Sequence, residues 1–267
     1  MTKVIDFSSY SSIKIGPKTE VLIIDEIDSY EDYTIIGGAN NLLISPTPPR
    51  LALLGKKFDF LHVKGNHLHI GGATPSGKIL SFSKKHNLAG FELMQKLPGT
   101  LGGMVKMNAG LKEWEIFNNL IAIKTQNGWI EKKDIEYGYR YANFEGIVYE
   151  AKFEVKKGFD EKLLEMFKKL RDNQPNLPSA GSCFKNPKGD FAGRLLDEAG
   201  LKGYKIAQMG FCETHANFLV NYGGGKFDDA VKLIELAKKR VYEEKGIKLE
   251  LEIKILKGIP SNALSPI

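Results

Sequence analysis

A serine, a cysteine, a lysine and an asparagine lie close together in the segment SAGSCFKNP, residues 179–187. In an extended run, Ser182, Phe184 and Asn186 share one face, and Cys183 points to the other. A serine beside an asparagine can donate a proton and orient a substrate. A hydrolase nucleophile is poorly supported because the segment lacks a G-x-S-x-G elbow, and a cysteine beside a strand phenylalanine is usually inert packing. A polar strand with an Asn-Pro turn also accounts for these residues, so both interpretations stay open.

Two glycine-rich segments could wrap a pyrophosphate. The first glycine loop is IIGGANNLLI (35–44) and the second is LPGTLGGMVKMNAG (97–110). Each offers consecutive backbone N–H groups without Cβ obstruction. Neither matches G-x-G-x-x-G or the Walker lysine pattern, which argues against a Rossmann or P-loop fold. Turn glycines explain either segment alone, but two such loops in one chain favour a dinucleotide.

Charged residues elsewhere could act on an anionic substrate. Arg140, in YGYRYANF, could bind the carboxylate of an anionic substrate or be an ordinary surface residue. Glu250 and Glu252 lie on the polar face of KLELEIKIL, where solvated carboxylates are common. His67 and His69 form an H-x-H pair without a Cys, Asp or Glu cluster, so we expect no metal site.

The elements that position these residues change along the chain, from short strands with glycine turns to helices. Strands are expected at 19–25, around the loop in 33–45, and at 67–73, with a helical pattern over 75–88 and a hairpin in 120–140. Helices are expected over 160–173, 190–201 and 226–246, the last ending at Gly246. Alternating apolar and charged residues predict one closing strand over 248–256. The fold class is therefore α+β.

Composition narrows the class of partner. The chain has 267 residues, 42% apolar and 26% charged, with a net charge of +6. This charge suits an anionic small molecule, and the lack of a long basic run disfavours nucleic acid. Two isolated cysteines, Cys183 and Cys212, indicate a reducing compartment. Without a signal-like or membrane-spanning apolar stretch, we expect a cytoplasmic protein with no membrane partner. We also expect a monomer.

Six segments together resemble one family. They are IIGGANNLLI, KLPGTLGGMVKMNAG, YGYRYANF, PSAGSCFKNP, EAGLKGYKIAQMGFCETHANFLVN and GIKLELEIKILKG, in the order and spacing of the UDP-N-acetylenolpyruvoylglucosamine reductase family. The resemblance runs from about residue 12 to residue 258. It implies an oxidoreductase of peptidoglycan synthesis, and hence a part in cell wall biogenesis, cell shape, the cell cycle and cell division. FAD would be the cofactor and NADPH the hydride donor. UDP-N-acetylglucosamine enolpyruvate would become UDP-N-acetylmuramate, with hydride passing from flavin N5 to C3 and a proton to C2.

The resemblance also implies a domain organisation. It predicts an FAD-binding fold of the vanillyl-alcohol-oxidase type, made of two α+β subdomains, and a C-terminal α+β substrate-binding domain. We expect FAD-binding subdomains at 1–60 and 61–157 and the substrate-binding domain at 158–248. Residues 249–267 would return to the FAD-binding part.

Site residues follow from matching positions in the family. Ser182 would give the proton to C2, Arg140 would meet the substrate carboxylate or enolate oxygen, and Glu252 would complete the polarising set. Tyr139, Asn186, Lys202 and His215 would bind the UDP-sugar. Arg140 and the glycine loops would bind FAD, the loop residues being Gly37, Gly38, Ala39, Asn40, Asn41, Leu42, Pro98, Gly99, Thr100, Gly102, Gly103, Asn108, Ala109 and Gly110.

The sequence also departs from the family pattern. GGANN stands where the family usually has GGGSN, so Asn40 replaces a serine. YRYA replaces YRDS, and LELE replaces LEPE around Glu252. No insertion for a substrate-closing tyrosine loop occurs between Arg140 and Gly181, which predicts the shorter type. Another FAD-linked oxidoreductase of the same fold is the alternative, although no histidine lies in a glycine loop for covalent flavin attachment.

Overall fold

The computed structural model describes residues 1–258. Within this range the chain forms nineteen strands and six α-helices. The strands are β1 (Thr2–Asp6), β2 (Lys18–Ile24), β3 (Thr34–Ile36), β4 (Leu42–Ile44), β5 (Leu51–Leu54), β6 (Leu61–Lys64), β7 (His67–Gly71), β8 (Gly110–Leu111), β9 (Trp114–Glu115), β10 (Leu120–Thr125), β11 (Gly128–Glu131), β12 (Glu136–Gly138), β13 (Tyr141–Asn143), β14 (Glu150–Glu154), β15 (Ser179–Ser182), β16 (Lys205–Ile206), β17 (Met209–Phe211), β18 (Phe218–Asn221) and β19 (Lys254–Leu256). The α-helices are α1 (Phe7–Tyr10), α2 (Ser76–Lys85), α3 (Leu101–Lys106), α4 (Glu161–Leu170), α5 (Ala192–Glu198) and α6 (Phe227–Lys245). None of the helices in residues 1–258 is both long and apolar enough to cross a bilayer.

The chain divides into two compact units. Unit 1 comprises Met1–Lys3, Val21–Gly38 and Leu51–Asp172, and unit 2 comprises Val4–Glu20, Ala39–Arg50 and the described residues from Asn173 onward. The predicted three-part division stays a prediction. The end of its returning segment, 259–267, lies outside the described residues.

Unit 1 contains a five-stranded antiparallel sheet in the order β11-β10-β14-β7-β6. Leu68 and Ile70 of β7 alternate with polar neighbours and are fully buried, because one sheet face packs against α2 and α3. In a second sheet, β5 lies between β2 and β3 and pairs in parallel with both, and β1 lies beyond β2. The predicted β10–β11 hairpin is confirmed, and Gly128 after its turn has φ 101°.

Unit 2 contains a four-stranded antiparallel sheet in the order β15-β18-β17-β16. Its core includes Leu195 of α5 and the apolar stripe of α6, where Ala230, Ile234 and Val241 are fully buried. Helix α6 ends as predicted at Gly246, which has the left-handed φ of 68°. The coarse prediction of mixed helices and sheets is thus confirmed.

The prediction of one continuous closing strand is wrong. Strand β19 spans Lys254–Leu256 alone and pairs in parallel with β4. Upstream, Leu251 forms a single antiparallel bridge with Phe184. The segment therefore changes partners between Leu251 and Lys254, and this interrupts the strand although apolar and polar residues alternate throughout.

Candidate active site

Ser182 lies at the end of β15, directly after an irregularity in the strand. The pairing with β18 matches Ser179 with Val220 and Ser182 with Phe218, so β15 holds one extra residue between them. Gly181 takes φ 82°, a left-handed conformation that favours glycine. A bulge redirects nearby side chains. Ser182 is half-buried, whereas the two residues after it are fully buried, so regular alternation is interrupted here.

Cys183 contributes its backbone, and its thiol lies in the core. The side chain is fully buried, and burial raises the pKa of the thiol well above its ordinary value, which disfavours a reactive thiolate. The N–H of Cys183 donates to the carbonyl of Asn217 at 2.7 Å. Its carbonyl accepts the N–H groups of Glu252 at 2.9 Å and Ile253 at 3.4 Å.

Asn217 holds this strand and was missed by the sequence analysis. Its side chain is 3% exposed and acts as a backbone partner for Phe184. Oδ1 accepts the Phe184 N–H at 3.0 Å, and Nδ2 donates to the Phe184 carbonyl at 2.8 Å. The signal that could have found it is an asparagine inside the apolar stretch HANFLVN, because a buried amide needs partners.

Glu252 lies on the segment that runs antiparallel to the end of the Ser182 strand. The N–H of Lys185 donates to the Glu250 carbonyl at 2.8 Å, and Glu252 is bonded to Cys183 as described. The Glu250 side chain is 77% exposed and its carboxylate lies 3.5 Å from Lys185 Nζ. The pairing therefore brings the backbone of the predicted glutamate next to that of the predicted proton donor.

Arg140 occupies the turn of the β12–β13 hairpin. Gly138 pairs with Tyr141, so Tyr139 and Arg140 form a two-residue turn. Arg140 has φ 63°, a strained conformation for a side chain of this size. Its Nη2 donates to the carbonyl of Gly110 at 3.1 Å, and its guanidinium carbon lies 4.9 Å from the centre of the Tyr139 ring.

Asn108 joins the second glycine loop to the same hairpin. Its side chain is fully buried. Nδ2 donates to the Gly138 carbonyl at 3.1 Å and to Glu115 Oε2 at 2.7 Å, while Oδ1 accepts the Phe117 N–H at 3.3 Å. With the Arg140–Gly110 hydrogen bond, this fixes the hairpin against the loop. The side-chain amide is satisfied within the protein, and the Asn108 N–H donates to the Val105 carbonyl at 3.1 Å. The predicted cofactor role of Asn108 stays a prediction.

The start of the first glycine loop lies against the second. A Cβ atom on Gly37 would lie 2.4 Å from Thr100 Oγ1, so a larger residue here would displace the Thr100 hydroxyl. The N–H groups of Leu101 and Gly102 donate to the carbonyls of Thr74 at 3.0 Å and Gly72 at 2.9 Å. These bonds anchor the second loop where it meets the first.

The next residues of the first loop offer donors for an anion. Ala39, Asn40 and Asn41 lie in a bend, and Ala39 has φ 50°. Within residues 1–258, their backbone N–H groups donate to no acceptor of the protein. Consecutive free N–H groups in such a conformation suit a phosphate.

The predicted UDP-sugar residues of unit 2 have partners within the protein. Asn186 Oδ1 accepts the N–H of Ala192, the first residue of α5, at 3.0 Å. Lys202 Nζ lies 2.9 Å from Asp197 Oδ2. His215 is half-buried, and burial together with the charge of Lys202 lowers its pKa, which favours neutral imidazole. In unit 1, Tyr139 is 44% exposed.

Arg171 is a second cation of unit 1 that the sequence analysis missed. It is 4% exposed and donates to the backbone carbonyls of Leu93, at 3.1 Å, and Gln95. Burial, with repulsion from Arg140, lowers its pKa to about 10. The guanidinium therefore stays charged at neutral pH and adds positive potential to the surroundings of Arg140.

The predicted residues thus form two groups. In unit 2, the Ser182 strand, the Glu252 segment and Asn41 are joined by hydrogen bonds. In unit 1, Arg140 and Tyr139 are joined to the second glycine loop, and Gly37 packs on Thr100.

Comparisons with known proteins identify the family of the chain. Residues 173–256 match the family model for the UDP-N-acetylenolpyruvoylglucosamine reductase C-terminal domain. The UDP-N-acetylenolpyruvoylglucosamine reductase of Helicobacter hepaticus is 52% identical over 260 residues, which cover 96% of this chain and 99% of the relative. The chain belongs to the UDP-N-acetylenolpyruvoylglucosamine reductase family.

Other members of the family also match most of the chain. The reductase of the same name from Campylobacter jejuni is 48% identical, covering 95% of this chain and 100% of the relative. The crystal structure of UDP-N-acetylenolpyruvylglucosamine reductase from Thermus caldophilus has a TM-score of 0.83 at 28% identity, covering 96% of this chain and 99% of that one. The predicted family is confirmed, and this UDP-N-acetylenolpyruvoylglucosamine reductase family member is an oxidoreductase.

Proposed function

We propose that this protein reduces UDP-N-acetylglucosamine enolpyruvate to UDP-N-acetylmuramate in peptidoglycan precursor synthesis, with FAD as cofactor and NADPH as hydride donor. Family membership along 96% of the chain supports the proposal. The observation that carries it at the site is the hydrogen bond from the Glu252 N–H to the Cys183 carbonyl, which ties Glu252 to the Ser182 strand. The proposal includes the vanillyl-alcohol-oxidase type of FAD-binding fold, the shorter form without a tyrosine loop, and a cytoplasmic monomer.

The two glycine loops have features that fit an FAD diphosphate. Free N–H groups of Ala39, Asn40 and Asn41 can donate to phosphate oxygens, and the close approach of Gly37 to Thr100 keeps the start of this loop beside the second. When bound, FAD supplies the hydride that adds to C3 of the enolpyruvyl group. The chain itself binds the cofactor and orients the substrate toward it.

Ser182, Arg140 and Glu252 would act on the carbon that becomes protonated. Hydride addition at C3 leaves negative charge spread from C2 into the substrate carboxylate, and this charge needs fixed donors and cations. Arg140, held in place by Gly110 and Tyr139, would meet the carboxylate or enolate oxygen. The Ser182 hydroxyl would donate its proton to C2, and Glu252 would polarise the same site.

The UDP part of the substrate would bind through Tyr139, Asn186, Lys202 and His215. Lys202 pairs with an exposed carboxylate, that of Asp197, and a diphosphate would replace this partner with a stronger anion. Nδ1 of His215 accepts the Asn217 N–H at 3.3 Å, so the Nε2–H of the neutral imidazole would be the donor offered to the substrate.

Stopped-flow measurement of the two half-reactions tests the proposal. We expect Ser182→Ala to keep flavin reduction by NADPH and to lose reoxidation of the reduced flavin by the enolpyruvyl sugar. Cys183→Ala, which changes a buried thiol, should keep both. Equal damage to both half-reactions by Ser182→Ala would contradict the proton-donor role. A parent protein that binds FAD but is reoxidised by other acceptors and not by this sugar would favour another FAD-linked oxidoreductase. Light scattering of the purified protein tests the monomer.

A further inference from the structure

Asn41 connects the first glycine loop to the backbone of Glu252. Its side-chain Nδ2 donates to the Glu252 carbonyl at 3.0 Å, and its own carbonyl accepts the Lys254 N–H at 2.9 Å. On the other side, the Glu252 N–H donates to Cys183. Both polar groups of the Glu252 main chain are therefore held, by two segments that are remote in sequence.

The Asn41 amide acts where regular strand pairing is absent. The N–H groups of Glu252 and Ile253 both point to the Cys183 carbonyl, as at a bulge, and pairing with β4 begins only at Lys254. The carbonyl of Glu252 thus lies outside both ladders. The hydrogen bond from Asn41 supplies the partner that a regular strand would have given.

We propose that Asn41 is a positioning residue for Glu252, and that its side chain serves this carboxylate's placement rather than the cofactor phosphate. The inference rests on the proposed function. The two donors of Asn41 support this proposal, because the side-chain Nδ2 donates to the Glu252 carbonyl while the backbone N–H is available to an anion. Misplacement of a reacting group by about 1 Å can slow a reaction on the order of 100-fold, so one such hydrogen bond can matter for rate.

Two variants of Asn41 separate this role from cofactor binding. Asn41→Ala removes the donor, and Asn41→Leu keeps the approximate size with neither a donor nor a charge, while both keep the backbone N–H. We expect both to keep the FAD dissociation constant and the rate of flavin reduction by NADPH. Reoxidation by the enolpyruvyl sugar should slow by about 10- to 100-fold. Weaker FAD binding with both half-reactions intact at saturating FAD would overturn the proposal and assign the side chain to the cofactor.

A double-mutant cycle with Glu252→Gln gives a second readout that a general loss of structure would not reproduce. If Asn41 acts through Glu252, Asn41→Ala should cause no further slowing of reoxidation in the Glu252→Gln background. Independent, multiplicative losses would overturn the proposal. A parent protein that binds no FAD, or is not reoxidised by the enolpyruvyl sugar, would instead refute the proposed function itself and Asn41's role with it.

Discussion

The N–H of Glu252 donates a hydrogen bond to the carbonyl of Cys183 at 2.9 Å, one residue after Ser182. The bond joins a segment near the end of the chain to the strand that carries the proposed proton donor. Glu250, two residues before Glu252, lies on the same segment, but its side chain is exposed and faces Lys185. Two glutamates two residues apart thus have different surroundings.

This difference predicts a difference in rate. Glu252→Gln should slow reoxidation of the reduced flavin by the enolpyruvyl sugar about 100-fold or more, because a group that stabilises developing charge is lost. Glu250→Gln, which alters only an exposed ion pair, should react like the parent. Similar rates for the two variants would remove Glu252 from the reaction.

The strained turn at Arg140 predicts that the arginine needed for turnover lowers the stability of the fold. A non-glycine residue in the left-handed region costs about 1 to 2 kcal/mol relative to glycine. Arg140→Gly should therefore have a larger free energy of unfolding than Arg140→Ala by about that amount, since both lose the bond to Gly110. Urea unfolding measures the difference, and both variants should fail to turn over the enolpyruvyl sugar. Equal stabilities would show that the turn is unstrained.

The contact between Gly37 and Thr100 predicts a compensating pair of substitutions. Gly37→Ala places a methyl group 2.4 Å from Thr100 Oγ1, and such overpacking costs about 1 to 3 kcal/mol. Adding Thr100→Ala leaves the Thr100 Cβ, at 3.7 Å, as the nearest atom. The double variant should recover most of the lost unfolding free energy. No recovery would mean that the glycine is required for another reason.

His215 predicts a pH dependence of stability. Because its pKa is lower in the folded protein than the usual value of about 6.5 in an unfolded chain, protonation favours unfolding. The contribution of neutral His215 to the free energy of unfolding is complete above the unfolded pKa of about 6.5. It is lost as the pH falls through the lower pKa of the folded protein. His215→Gln should therefore lose less stability than the parent between about pH 7.5 and pH 5. Parallel stability curves would contradict a lowered pKa.

Local signals predicted the elements that depend on neighbouring residues. Helix α6 and its left-handed cap at Gly246 follow from apolar spacing and one glycine, and the β10–β11 hairpin follows from two strand-like runs around a turn. The closing strand predicted from the sequence is longer than the observed one. Its partners, Phe184 and β4, lie far away in sequence, so local signals do not show where the pairing changes. Alternation of residues shows which side chains are buried but does not show where a strand changes partners.

The asparagines were the least predictable part of the site. Asn41, Asn108 and Asn217 each hydrogen-bond backbone carbonyls in segments remote in sequence. The family resemblance predicts that Asn41 and Asn108 bind the cofactor, but it does not predict the carbonyl partners that their side chains have in the structure. No spacing rule connects an amide to a carbonyl 211 residues away, so these roles needed the folded structure.

The burial of Cys183 protects its thiol from modification by electrophiles and oxidants. Cys183 and Cys212 are the two cysteines of the chain, and both side chains are buried. The thiol adjacent to Ser182 is therefore shielded from electrophiles and oxidants by the same packing that sets the strand. A compound aimed at this region has no accessible sulfur to modify, and reversible recognition of the polar groups around Ser182 is the route left to it.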